Sequence, residues 1–328
     1  MKKAILPAII SALLANTAYA ANIYDADGTT ADLYGRMQFD ISDNGDATDS
    51  DDSLDGVGSA RIGTTYSSMI NSDVSAIARG EWQIAAENSD DSEFTTRHLY
   101  AGFASDEMGS LIFGQTDSAF YQAVAATDIY NTYGYGAFDG VNRQEGQIIY
   151  SGEFSGFSVD ASYQFQDKAF ADIEGLDDTT SGIASLDKAY ALTLGYNVEG
   201  LGIHAGTWIQ QFDDLGDKTS YALSLTYTYN DLYLAGVYLT ADQDGSTDVA
   251  DANTYDGYDL LASYTIDNAK LYGGYTFQEA DDNTDMTDEV TLGAQYAVNN
   301  NLITWVEYKA DQIDGNDNVW TAAIQYNF

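Results

Sequence analysis

The last ten residues, Val319-Trp320-Thr321-Ala322-Ala323-Ile324-Gln325-Tyr326-Asn327-Phe328, alternate. Trp320, Ala322, Ile324, Tyr326 and Phe328 fall on one face; Thr321, Ala323, Gln325 and Asn327 fall on the other. Successive side chains of a strand point to opposite sides, so the stretch predicts a strand with one apolar face and one wetter face. The pattern recurs upstream. Tyr221, Leu223, Leu225, Tyr227 and Tyr229 oppose Ser220, Ala222, Ser224, Thr226 and Thr228. Phe157, Val159, Ala161, Tyr163 and Phe165 oppose Ser158, Asp160, Ser162, Gln164 and Gln166. One such strand fits any half-buried antiparallel sheet. Many in one chain fit a wall with lipid outside and water inside.

The other end of the chain reads as an export signal. Lys2 and Lys3 precede an apolar run from Ala4 to Leu14, and Ala18-Tyr19-Ala20 is a small-x-small cleavage pattern. Residues 1–20 are therefore expected to be removed, leaving residues 21–328 as a single domain. The apolar run is too short to span a bilayer as a helix, and no later segment is long and apolar enough. A membrane protein without such helices must close its sheet, since lipid offers backbone groups no partners. The only proline is Pro7, and there is no cysteine. A mature chain without proline suits long hydrogen-bonded strands. Without cysteine there is no thiol catalysis, no thiolate metal site and no disulfide.

Sixteen strands are predicted, beginning near Asp32, Ser59, Val74, Thr95, Ser110, Gln147, Gly156, Ala189, Leu201, Ser220, Leu232, Gly257, Ala269, Glu289, Asn301 and Val319. Their connections alternate in kind. Short turns fall at 71–73, 152–156, 198–200, 229–231, 266–268 and 298–301. Longer, aspartate-rich loops fall at 42–58, 87–93, 167–188, 213–218, 240–256, 278–288 and 311–318. Short turns at one end and long loops at the other is the asymmetry of outer-membrane barrels, with the turns in the periplasm. An even strand count puts both termini on that side. Tyrosines near strand ends, such as Tyr227 and Tyr229, are expected to form interfacial girdles.

The charge is extreme. Twelve basic and 52 acidic residues give −40, or −42 once Lys2 and Lys3 leave with the signal. Such a field repels nucleic acid. Acidity of this degree also suits disorder, but 26 tyrosines and 13 phenylalanines argue for packed sheet. Adaptation to a salty habitat is compatible with a barrel.

The order of segments resembles the general diffusion porins of Gram-negative bacteria. Residues 23–28 with Asp32-Leu33-Tyr34-Gly35-Arg36 resemble that family's opening strand, and Ser59-Ala60-Arg61-Ile62-Gly63 its second. Gly80-Glu81-Trp82-Gln83 resembles its third, and Thr96-Arg97-His98-Leu99-Tyr100 its fourth. Phe113-Gly114-Gln115 stands where the family's third loop begins, and Phe328 matches its C-terminal assembly signal. The resemblance covers the mature chain. It implies an all-β, sixteen-stranded transmembrane barrel of the outer membrane, a homotrimer latched by the second loop, and a third loop folded into the lumen. It also implies lipopolysaccharide and membrane lipid as surroundings, periplasmic chaperones and the barrel-assembly machinery as partners in transit, and small hydrophilic solutes as cargo. No cofactor is expected.

Four of the five arginines in the mature chain fall in the first four strands. Alternation turns Arg36 into the lumen with Asp32, Tyr34, Gln38 and Asp40. It turns Arg79 inward with Glu81 and Gln83, and Arg61 with Thr65 and Ser67. Arg97 shares a face with Leu99, so alternation leaves it undecided, and its place on the wall comes from the resemblance. Opposing this basic wall are Asp117, Asp128, Asp139 and Glu145 in and around the third loop, which also carries Arg143. Basic wall against acidic loop predicts a transverse field at the narrowest point, with selection by lining and width. Ser151 and Thr132 stand where the family often has a further wall arginine and a second loop carboxylate. That weakens both faces, and the overall charge predicts cation preference.

Other readings compete. A substrate-specific channel for sugar or peptide is one, and inward-pointing Tyr34, Tyr233, Tyr272 and Trp208 would suit the sugar case; a plugged lumen would suit a structural or adhesive barrel. An outer-membrane enzyme would need a histidine beside a serine or carboxylate, and nothing in the sequence ties His98 or His204 to such a set. Residues 242–245 and 314–318 hint at calcium-loop spacing without the late glutamate, and read as turns.

Overall fold

The structure is a computed structural model describing residues 20–43, 54–85, 94–134, 143–170, 184–213, 216–244 and 254–328. The strands run β1 (Ala21–Ala26), β2 (Thr29–Asp43), β3 (Asp55–Met69), β4 (Ser75–Ala85), β5 (Phe94–Ser105) and β6 (Gly109–Thr116). After them come β7 (Gln144–Phe154), β8 (Phe157–Gln164), β9 (Asp167–Phe170), β10 (Ala184–Val198), β11 (Leu201–Phe212) and β12 (Gly216–Tyr229). The last six are β13 (Leu232–Gln243), β14 (Tyr255–Ile266), β15 (Ala269–Ala280), β16 (Asp285–Ala297), β17 (Leu302–Asp311) and β18 (Val319–Asn327). Each pairs antiparallel with its neighbours, and β18 returns to β2 in register from Trp320 with Asp43 to Asn327 with Arg36. The sheet is therefore a closed sixteen-stranded barrel, with short β1 and β9 as extras.

The sixteen wall strands begin within five residues of the predicted starts, and β1 and β9 were not predicted as strands of their own. The largest difference is at β10, which starts at Ala184 and pairs with β9 beyond the end of β8. The predicted opening strand is two: Asp27 and Gly28, both with positive φ, fold β1 back on β2 as a hairpin. Most of the expected long loops are shorter than predicted, because the flanking strands continue pairing, and two are reduced to three or four residues. Only residues 213–215 separate β11 from β12, and 281–284 separate β15 from β16.

The faces follow the alternation. Met37, Phe39 and Ile41 are exposed on the outer side of β2, and Leu223, Leu225, Tyr227 and Tyr229 on that of β12. This outer face would cost a soluble protein its solubility, and lipid covers it here at no such cost.

The seam between last and first wall strands is held at its end by Phe328. Gly35 N donates to Phe328 O (2.9 Å), and Phe328 N donates to Gly35 O (3.0 Å). The Phe328 ring lies over Gly35, where an added Cβ would meet Cζ at 2.6 Å and the Arg61 carbonyl oxygen. Gly35→Val is expected to displace the ring and to lower the yield of heat-resistant barrel on unheated gels. A wild-type yield would remove the role given to this close approach.

A candidate pore constriction

The third long loop connects β6 to β7 through the lumen. After Thr116 it makes one helical turn, α1 (Tyr121–Val124), then a 3-10 turn (Ala125–Thr127), and it is described as far as Gly134. Its inward course has an apolar cause. Phe120, Ala123 and Val124 are fully buried against Leu186, Ala189, Trp208, Val237 and Leu239, which project into the lumen from β10, β11 and β13. Phe120 stacks on Trp208 with centroids 5.9 Å apart. Burying Phe120 and Val124 stabilises the docked loop by about 1.5–3 kcal/mol each. Gly206 on β11 allows the approach, since a Cβ there would meet the Cβ of Ala123 at 2.8 Å. Polar contacts fix the register: Tyr233 OH donates to Ala126 O (2.6 Å) and Ala119 N to Ser162 Oγ (3.2 Å).

The tip of the loop is pinned by Glu307 of β17. Its carboxylate accepts from the backbone N–H groups of Asn131 (2.6 Å), Thr132 (2.9 Å) and Tyr133 (2.7 Å), and from Tyr272 OH (2.6 Å). Trp305 Nε1 adds a bond to Thr132 Oγ1 (3.0 Å), and Lys270 Nζ one to Ile129 O (3.2 Å). Glu307 is 2% exposed. Sequence reading missed it. Alternation between exposed Val306 and Tyr308 turns it inward, but nothing local says that a distant loop will meet it.

The basic wall gathers on a single carboxylate. Glu81 of β4, 1% exposed, accepts from Arg79 Nη2 (2.7 Å), Arg97 Nε (2.8 Å) and Tyr34 OH (2.8 Å), and Arg61 Nε lies 3.6 Å away. Arg61 also donates to Gln83 Oε1 (3.1 Å), and Arg36 to Gln325 Oε1 (3.1 Å). Arg36 and Arg61 face each other across β2 and β3. Four guanidiniums this close repel one another, and Glu81 offsets part of that while leaving the cluster net positive. Arg97 joins through a β-bulge. Glu81 pairs with His98 and Trp82 with Thr96, so Arg97 is the extra residue of β5. The bulge lets Arg97 and His98 both face the lumen while Leu99 stays outside, the case that strict alternation cannot express.

Asp117 stands at the root of the loop and accepts the backbone N–H of Arg143 (2.9 Å). Burial pushes its carboxyl above the ordinary value, opposed by that N–H and by the charges of Arg143, Arg97 and Arg79. Among the described residues Asp117 is thus the loop acid within electrostatic reach of the basic wall. Asp128 is exposed to the lumen and accepts from Tyr121 OH (2.7 Å); its charged neighbour on the wall is Asp259 of β14. Glu145 is exposed on β7 beside Asp167, apart from this cluster. Asp139 lies outside the described residues. Thr132 belongs to the pinned tip, and Ser151 lies in the lumen beside Asp160. The four inward aromatics bond to the loop or to the arginine cluster: Trp208 packs on Phe120, Tyr233 and Tyr272 hold the loop, and Tyr34 bridges Arg79 and Glu81.

A profile of the Gram-negative porin family matches residues 8–327. The chain belongs to that family. Outer membrane protein U of Vibrio vulnificus is 30% identical to this porin over 253 residues, covering 75% of this chain and 71% of its own. Outer membrane porin F of Escherichia coli K12 is 26% identical over 377 residues, covering all of both chains. The solved structure of Salmonella typhi OmpF superposes with a TM-score of 0.81 at 20% identity, covering 94% of this porin and 100% of that chain. This porin is therefore a channel of the outer membrane. Of the two histidines, His98 contacts Thr116 Oγ1 through Nδ1 (2.8 Å) and stands beside the Glu81 carboxylate, with Nε2 at 4.0 Å, while His204 lies beside Asn197 (3.5 Å). The suspected calcium stretch at 314–318 is held as a turn, with Asp311 N donating to Asn318 Oδ1 (3.0 Å) and Ile313 N to Asp311 Oδ1 (3.0 Å).

Proposed function

We propose that this porin passes small hydrophilic solutes without specific recognition, and that it prefers cations. The constriction lies between the arginines on β2, β3, β4 and β5 and the third loop with Asp117 and Asp128. One observation carries the ion preference: Glu81 shares its charge among the wall arginines, so the basic side is partly neutralised, while the whole chain carries −40. Negative rims raise the local cation concentration, and the weakened wall opposes it little.

The zero-current potential of single channels under a salt gradient is expected to show cations carrying most of the current. Anion preference would sink the reading. Acidification from about pH 7 to about pH 4 neutralises carboxylates and is expected to bring the ratio towards unity. Asp117 contributes early in that titration, because its carboxyl is raised.

The removal of residues 1–20 belongs to the same proposal, and an intact mass matching a start at Ala21 tests it. So does a homotrimer. It is supported by the shallow outer face where Ala76, Ala78, Ala101 and Gly102 lie among Tyr66, Phe103 and Phe113, a surface a second copy can approach closely. Unheated gels and conductance steps in threes test it. Phe328 and the short turns are assigned to the periplasmic side, and lipopolysaccharide to the surroundings of the long loops.

A further inference from the structure

Below the root of the third loop, at the short-turn end of the lumen, lies a cavity of about 440 Å³. It sits beside the turns at 155–156 and 199–200, because its lining includes Glu153, Ser158, Asn197 and His204. Its volume is within the range of small-ligand sites.

The lining is unusual for a solvated vestibule. Tyr100, Ile112 and Ile149 form a buried apolar cluster on one side. Asp160 of β8 is on the other, 8% exposed, with the Ser151 hydroxyl as its hydrogen-bond partner. Among the described residues no lysine or arginine makes an ion pair with Asp160. Arg79, at the loop end of the cavity, is already held by Glu81 and Tyr34. Ser118 is 2% exposed, and its hydroxyl, like that of Ser158, is buried without a hydrogen-bond partner among the described residues. A buried carboxylate lacking a counter-ion, beside spare hydroxyls and an apolar patch, describes what is missing. The complement is a protonated amine on a short apolar body.

We infer that this cavity is a binding subsite for small organic ammonium ions, with Asp160 taking the ammonium and Ile112, Ile149 and Tyr100 taking the apolar part. Occupancy narrows the lumen beneath the third loop, so a bound amine interrupts the current. The inference rests on the open-channel reading above.

Phenethylamine is the probe, added to single channels of the full-length porin. Transient, concentration-dependent block is expected, at lower concentration from the short-turn side. Phenethyl alcohol and 3-phenylpropionate, which lack the cation, are expected not to block. Asp160→Asn is expected to raise the half-blocking concentration roughly tenfold or more, because a charge-assisted bond is lost. Ser158→Leu fills the cavity without touching the carboxylate and is expected to abolish block, which keeps the test decisive if Asp160→Asn assembles poorly. Unit conductance and heat-resistant migration report folding of each variant. Block unchanged in both variants overturns the subsite. Block unchanged by Asp160→Asn but lost in Asp128→Asn, which is outside the cavity, places binding at the loop and also overturns it. A porin with normal conductance and no block by amine fails here alone; one without conductance fails together with the channel reading.

Discussion

Glu307→Ala is expected to turn a steady pore into a noisy one with a larger mean conductance. The carboxylate takes three consecutive backbone N–H groups at the loop tip and the Tyr272 hydroxyl. Alanine leaves those donors facing a cavity. Each unsatisfied buried group costs about 1–3 kcal/mol, so the docked tip loses several times the thermal energy. The cheapest relief is for the tip to leave the wall and hydrate. The apolar seat of Phe120 and Val124 is far enough back along the loop to hold the root while the tip moves. The variant should therefore stay folded and flicker. Glu307→Gln keeps one good acceptor and should be intermediate. Single-channel current noise is the measurement, and a quiet Glu307→Ala channel of wild-type conductance would refute the pin.

The second large effect is expected at Glu81. Glu81→Gln removes the one carboxylate shared by Arg61, Arg79 and Arg97 and leaves their charges facing one another. Breaking a buried ion pair by removing one partner costs about 3–5 kcal/mol. Folded yield should fall, and the channels that do assemble should shift their zero-current potential towards anions. Adding Arg97→Gln removes one unpaired cation and should recover part of both losses. An unchanged potential in the single variant would mean that the cluster lies off the permeation path.

Both residues show how far the sequence could be read. Alternation needs only neighbours along the chain, so the wall, its closure and the inward faces of Arg36, Arg61 and Arg79 were legible. Glu81 was also legible as inward-facing. Its role as shared counter-ion was not, because that depends on the lateral register of β2 to β5. Arg97 stayed undecided for a local reason: a bulge adds one residue to the period, and the period was the instrument. Glu307 was illegible in another way. It meets the loop tip across more than 170 residues of chain, and a lone acid between Val306 and Tyr308 looks like any wetted strand position. Resemblance supplied the inward loop, while the apolar lumen patch at Leu186, Trp208 and Leu239 that explains it emerged only in three dimensions. Asp27-Gly28 is a hairpin signal in itself, but residues 21–26 do not alternate and announce no strand of their own.

The seam at Phe328 bears on how such a wall can come into being. Arg36 and Gln325 touch across 289 positions, and Phe328 makes both backbone bonds to Gly35. A growing chain can zip hairpin upon hairpin, yet the edge of β2 from Arg36 to Asp43 stays unsatisfied until β18 arrives. Distance along the chain is a mild penalty, since doubling a loop adds only about 0.6 kcal/mol. The heavier penalty is exposure, because an open edge in hydrocarbon has no substitute partner. Closure therefore rests on β18, and until it docks the free edge of β2 remains on offer to the wrong neighbour.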